Sequence, residues 1–258
     1  DMIGVLQEYW AEVFRERGID EAMLQEWLEE RYPDEGEPPR EQRRGPDGQQ
    51  HWRHGLPTAA SQKWEVKKTD LASSIKQSKN SAPGPDGLPH KVWRELGEFG
   101  LDILWDAMQE MHEVHAPALL HAAYGPEHTF NEGVMVCLPK SSTETNEEGI
   151  DIYEPANTRP LAIGNTDNRI MCGAGRRRWE KIFNNWICPH QKGFIRGRSM
   201  LSNVLTIDSE AMKVSLKEEY GGMILFDFKA AFPSIERKFM FESLKWLGMP
   251  TRQLRLIE

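Results

Sequence analysis

Cysteine is scarce in this 258-residue sequence: Cys137, Cys172 and Cys188 stand alone and far apart. Their number and spacing exclude a secreted-type disulfide framework and a zinc site built on paired cysteines, so they read as reduced thiols. Long hydrophobic runs are missing too. No apolar stretch approaches the ~18 residues that cross a bilayer, and the opening lacks the basic-then-apolar layout of a signal peptide. The expectation is an intracellular protein with no membrane segment, nucleus or cytoplasm left open. His112, His115, His121 and His128 lack both Cys partners and a His-Glu-x-x-His arrangement, and read as solvated or capping histidines. An initial Met is absent, and Leu256-Ile257-Glu258 forms no recognisable cap. The sequence therefore reads as a piece of a longer reading frame.

What is present is a globular composition, with 39% hydrophobic residues and nine Trp, enough to bury a substantial core. The net charge of −8 hides a segregation. Residues 1–50 hold 14 Asp/Glu against 6 Lys/Arg and carry all of it. From Arg159 to Arg198 nine Lys/Arg face only Asp167 and Glu180. This local cationic stretch fits a phosphate-rich partner despite the acidic pI.

Apolar spacing predicts a helical preface over residues 1–31, in two runs separated near Gly18. Residues 32–57, rich in Pro, Gly, Arg, Gln and Glu, read as a linker or loop. Gly45-Pro46-Asp47-Gly48 within it repeats the turn chemistry of Gly84–Gly87 without helical neighbours. Thr69 is placed as the N-cap of a helix over Asp70–Gln77, followed by a turn at Ser81–Gly87. A helix over His90–His112 is expected to break at Gly97 or Gly100. Val134, Val136 and Leu138 alternate up to Pro139, which predicts a strand. A second strand over Arg159–Ile163 would complete a hairpin holding Lys140 and Arg159 at neighbouring ends.

Trp179, Ile182, Phe183, Trp186 and Ile187 mark one face of a further helix with Arg176–Arg178 at its front. Gly173 and Gly175 weaken any longer version by about 1 kcal/mol each. Gln191–Ser199 is a glycine-punctuated turn, and Ser199 caps a helix through Met212. Gly221-Gly222 then opens the apolar strand Ile224-Leu225-Phe226, which delivers Asp227 at its end, with Phe232 five residues on. A last helix carries Phe239, Leu244, Trp246 and Leu247 and is closed by Gly248 and Pro250. The fold class is α+β.

Five motifs occur in a fixed order: Ala82-Pro83-Gly84-Pro85-Asp86-Gly87-Leu88-Pro89, Leu138-Pro139-Lys140, Arg159-Pro160-Leu161, Gln191–Arg198, and Asp227 to Phe232. In that order the chain, from about Trp64 to Glu258, resembles the reverse transcriptase domain of non-LTR (LINE-like) retrotransposons. The helix with Tyr9-Trp10-Ala11-Glu12-Val13-Phe14 looks like the segment that precedes that domain. The resemblance implies a right-hand polymerase, with fingers over residues 58–221 and the first palm strand and following helix over 222–258. It implies RNA template, DNA primer, dNTPs and Mg2+.

Nucleotidyl transfer by two magnesium ions needs several carboxylate oxygens. Asp227 resembles the first of those ligands, with the Phe228 backbone carbonyl a second donor. A bulky ring at Phe232 would exclude a 2′-OH and so favour deoxynucleotides. Lys140 and Arg159 resemble the fingers residues that grip a triphosphate, one as a point charge and the other as a fork. Gln191, Gly193, Arg196 and Arg198 match a template track in which glycines allow close backbone approach. Pro233 departs from the family, which usually has Asp after the aromatic. The family also carries a glycine-containing template loop and a paired-aspartate strand turn that do not occur between Met249 and Glu258. The expectation is a fragment inactive alone in magnesium-dependent extension. Competing readings are a non-catalytic RNA-binding remnant, an intron-encoded maturase and a plain helical scaffold.

Overall fold

Helices supply the core, and the strands form two small antiparallel pairs, in a computed structural model that describes residues 1–31, 56–125, 129–184, 186–218, 220–228 and 230–257. The arrangement is mixed α and β with antiparallel pairing. Helices α1 (Met2–Phe14) and α2 (Glu21–Arg31) form the expected preface, the break falling around Gly18. The linker expected over 32–57 falls largely, and the Gly45–Gly48 turn wholly, outside the described residues. Its last two residues are docked: Leu56 packs beside Trp64, and the Pro57 carbonyl accepts the Trp64 indole N–H at 3.1 Å.

Helix α3 (Lys68–Gln77) begins before the expected cap. Thr69 lies inside it; Asp70 reaches back to accept the Lys67 backbone N–H at 3.0 Å, and that bond sets the start. Helices α4 (His90–Glu95) and α5 (Gly97–Met111) divide as expected at Gly97, whose φ of 56° suits a residue without Cβ. Next come α6 (Ala116–Tyr124), strand β1 (Gly133–Pro139), the short pair β2 (Glu144–Thr145) and β3 (Asp151–Ile152), and β4 (Thr158–Gly164).

Helix α7 (Thr166–Phe183) corrects the sequence reading at both ends. It runs through Gly173 because α3 crosses there: a Cβ on Gly173 would lie 2.4 Å from Ser74 Oγ. Ser74 Oγ in turn donates to the Ile170 carbonyl at 2.8 Å. Close approach outweighs the propensity penalty. At the other end Trp186 and Ile187 both turn back, each N–H bonding the Phe183 carbonyl, so they lie beyond the helix.

Helix α8 (Met200–Lys217) starts where expected, Ser199 Oγ accepting the Leu201 N–H at 3.2 Å, but none of its residues is buried. The strand expected from Gly222 to Asp227 is not formed. Residues 221–228 carry no regular structure, and Ile224, Leu225 and Phe226 are exposed. A strand requires a partner to take its backbone donors and acceptors, and none of the described residues pairs with this one. Helix α9 (Arg237–Trp246) ends at Gly248 as expected, with Gly248 N–H on the Lys245 carbonyl and Met249 N–H on that of Leu244. Helix α10 (Thr251–Leu254) follows.

Two clusters form the interior. Leu71, Ile75, Trp93, Leu104, Met108, Ile170 and Ala174 join α3, α4, α5 and α7. Trp64, fully buried, gathers Ile182, Met249 and Leu254, so the last helices close over a residue near the start of the described core.

Candidate functional site

Antiparallel register puts Leu138 opposite Arg159 and Pro139 opposite Thr158. The Lys140 N–H then donates to the Asn157 carbonyl at 2.8 Å, extending the ladder by one pair. Because hydrogen-bonded and non-hydrogen-bonded pairs alternate, Pro139 and Pro160 both fall in non-bonded pairs, where a missing N–H removes nothing from the ladder. Side chains two apart share a face, so Lys140 and Arg159 are diagonal neighbours on one face of the ribbon, a separation of roughly 7–8 Å between such positions. Both are exposed. The hairpin expected to bring them together does so.

The position of that hairpin end is fixed from below. Thr158, buried beside Arg159, accepts the Trp10 indole N–H at 3.1 Å and donates to the Pro155 carbonyl at 2.7 Å. Trp10 was placed in the preface by its spacing, but a buried indole requires an acceptor whose location no local pattern gives.

The Ala82–Pro89 motif is a docked turn. Gly87 N–H bonds the Gly84 carbonyl at 3.0 Å, and a Cβ on Gly84 would meet the Asn165 backbone at 2.5 Å. Asn165 Oδ1 accepts the Asp86 N–H, and Arg169 donates to the Ala82 carbonyl and Ser81 Oγ at 2.8 and 2.7 Å. Thr166 links Trp93 Nε1 to the Leu88 carbonyl at 2.9 Å on each side. The turn therefore locks the exit of β4 to the start of α7. Burial, then the Asp86 carboxylate, holds the Asp167 carboxyl above its ordinary range at this junction.

The Gln191–Arg198 loop is equally constrained. Arg198 donates to four backbone carbonyls: Cys188 at 2.6 Å, Gln191 at 2.7 Å, and Asn184 and Ile187 at 3.0 Å. Its two terminal nitrogens are fully used in closing the end of α7. Arg196 is exposed, while its backbone N–H donates to Glu180 at 3.2 Å. Glu180 is one of two acids in the cationic stretch, and that isolation was the signal in the sequence for its role. Gln191 Nε2 donates to the Gly193 carbonyl at 3.1 Å. Of the nine cations in the stretch, Arg169, Arg177, Arg178 and Arg198 make internal bonds. Arg159, Arg176, Lys181 and Arg196 are exposed.

Asp227 and Phe228 lie on the exposed segment before α9. The Phe232 ring meets Phe194 edge-to-face, centroids 5.6 Å apart at 87°, so Phe232 is brought to the Gln191–Arg198 loop. Among the described residues, no hydrogen bond or ion pair joins Asp227 to this group or to Lys140 and Arg159. Phe194 belongs to the quoted loop motif but received no role from the sequence. Its φ of 61°, unusual for a residue with a Cβ, is not encoded in any local pattern.

Among the described residues no group of three or more His, Cys, Asp or Glu is placed to hold a metal ion, and Asp227 offers one carboxylate of the hard oxygen type that Mg2+ takes. No protein-family model matches the chain.

Proposed function

We propose that the chain is the fingers-side part of an RNA-directed DNA polymerase of a non-LTR retroelement, acting on an RNA template and DNA primer with dNTPs and Mg2+. One observation carries the reading. The β1–β4 register sets Lys140 and Arg159 as diagonal neighbours at one ribbon end. A point charge and a planar fork at that spacing suit the phosphates of one nucleotide, and the order of the five motifs gives the pair its context.

In this reading Lys140 and Arg159 bind the triphosphate, and Trp10 and Thr158 hold their ribbon in place. Phe232 stands against the sugar edge and disfavours a 2′-OH. Asp227 and the Phe228 carbonyl would hold Mg2+, which would supply charge neutralisation at the phosphates. Arg196 contacts the template backbone, and Arg198 shapes the loop that presents it.

Equilibrium binding of a fluorescent dNTP in the presence of Mg2+ tests the proposal. Lys140→Ala and Arg159→Ala should each weaken binding by about tenfold, the magnitude of one lost charge-assisted contact. Phe232→Ala should narrow the preference for dATP over ATP. Unchanged affinity in both cation variants sinks the reading. A second reading, RNA binding without polymerisation, draws on the exposed Arg176, Lys181 and Arg196; salt-dependent RNA binding with no triphosphate binding would favour it.

A further inference from the structure

Phe194 combines an exposed aromatic side chain with a left-handed backbone. The residue is 84% exposed and its backbone sits at φ 61°, a region that residues with a Cβ disfavour. A large apolar side chain in water and a left-handed backbone are both unfavourable, and here they coincide on one residue. Strain of this kind persists only where the surroundings over-determine it.

The surroundings do so. Four carbonyl bonds from Arg198, the Arg196 N–H to Glu180, and the Arg198 N–H to Ile195 carbonyl at 3.2 Å fix the loop on both sides of the ring. The only aromatic partner among the described residues is Phe232, itself 74% exposed. An edge-to-face pair covers a face of only one of the two rings, and both residues stay largely exposed. Two residues beyond Phe194 along the same loop is the exposed Arg196.

We propose that Phe194 is a base-stacking platform, taking an unpaired nucleobase of a single-stranded RNA on its open face while Arg196 contacts the adjoining phosphate. An exposed aromatic and an exposed cation on one firmly held loop are the elements that bind a single strand without regard to sequence. The proposal rests on the polymerase reading and deepens it: the stacked base would lie against the ring that selects the sugar. Phe194 is thus a positioning residue for template, and Phe232 receives its orientation partly from it.

The experiment uses the full chain and a short single-stranded RNA, compared with the same RNA carrying abasic sites, by fluorescence anisotropy at several salt concentrations. Phe194→Asn tolerates the left-handed backbone and keeps the loop, so its thermal midpoint should equal or exceed that of the wild type. Its affinity for the intact RNA should fall on the order of tenfold, with little change for the abasic RNA. Phe194→Trp should retain binding. Arg196→Ala should weaken both RNAs and flatten the salt dependence. Equal affinity of the wild type for intact and abasic RNA overturns the stacking proposal while leaving the polymerase reading standing. Failure to bind either RNA overturns the stacking proposal; loss of dNTP binding in addition overturns the polymerase reading.

Discussion

Trp10 Nε1 donates to Thr158 Oγ1 at 3.1 Å, joining the first helix to the start of β4 across 148 positions of sequence. Both residues are buried, and Thr158 adjoins Arg159. The preface is therefore part of the scaffold under the cationic ribbon end.

Removing either partner leaves the other without its bond. Trp10→Phe and Thr158→Val should each destabilise the chain by about 1–2 kcal/mol in urea unfolding. The double variant should lose less than the sum of the two, by roughly 0.5–1 kcal/mol. Strict additivity would show that the bond contributes nothing.

Arg196 and Arg198 should separate cleanly. Arg198→Lys cannot satisfy four carbonyls with one ammonium, so the unfolding midpoint should drop by about 2–4 kcal/mol of stability. Arg196→Ala should leave stability within about 0.5 kcal/mol, as expected for an exposed side chain. Chemical denaturation of both variants checks this, and the reverse ranking would refute the assignment of roles.

Gly173 tests the contact between α3 and α7. Gly173→Ala should destabilise by about 1–3 kcal/mol, because the new Cβ meets Ser74 Oγ. Adding Ser74→Ala removes that oxygen and leaves an ordinary 3.6 Å contact with Ser74 Cβ. Stability should then recover in part, the gain of about 1 kcal/mol in helix propensity being set against the lost Ser74 Oγ bond to the Ile170 carbonyl. Thermal unfolding of the three variants makes the comparison.

Acid should weaken the fold through His112. Burial, then the Arg252 guanidinium, lowers its pKa to about 4 from the ordinary 6.5. The folded chain thus holds His112 neutral, with Gln253 Nε2 beside its ring at 3.2 Å. An unfolded chain takes up the proton near pH 6.5 and the folded one near 4, so this contribution is complete above pH 6.5 and is lost between 6.5 and 4. The urea midpoint should fall across that window, and His112→Gln should flatten the fall. An unchanged slope in the variant would assign the acid sensitivity to other groups.

Much of the hairpin was legible because its signals are local. Alternation in Val134, Val136 and Leu138, with prolines at pair positions that need no N–H, fixes both strands and the neighbouring ends of Lys140 and Arg159. Gly97, Ser199 and Gly248 were legible for the same reason, since caps and breaks depend on nearby backbone. What escaped depends on distant partners. Gly173 reads as a weak helix residue until Ser74 is known to cross it. Arg198 counts as a cation in a composition and becomes four carbonyl contacts in the fold. Ile224–Phe226 has the chemistry of a strand, but pairing is a property of two segments.

Trp64 has a consequence for the order in which the chain acquires structure. Its cluster includes Met249 and Leu254. At a synthesis rate of 5–20 residues per second, the ring would wait roughly 10–40 s on the ribosome before those partners are made. During that interval only the earlier part of the cluster, such as Leu56, Ile182 and Phe183, is there to cover the indole, and the side later closed by Met249 and Leu254 stays open on the nascent chain.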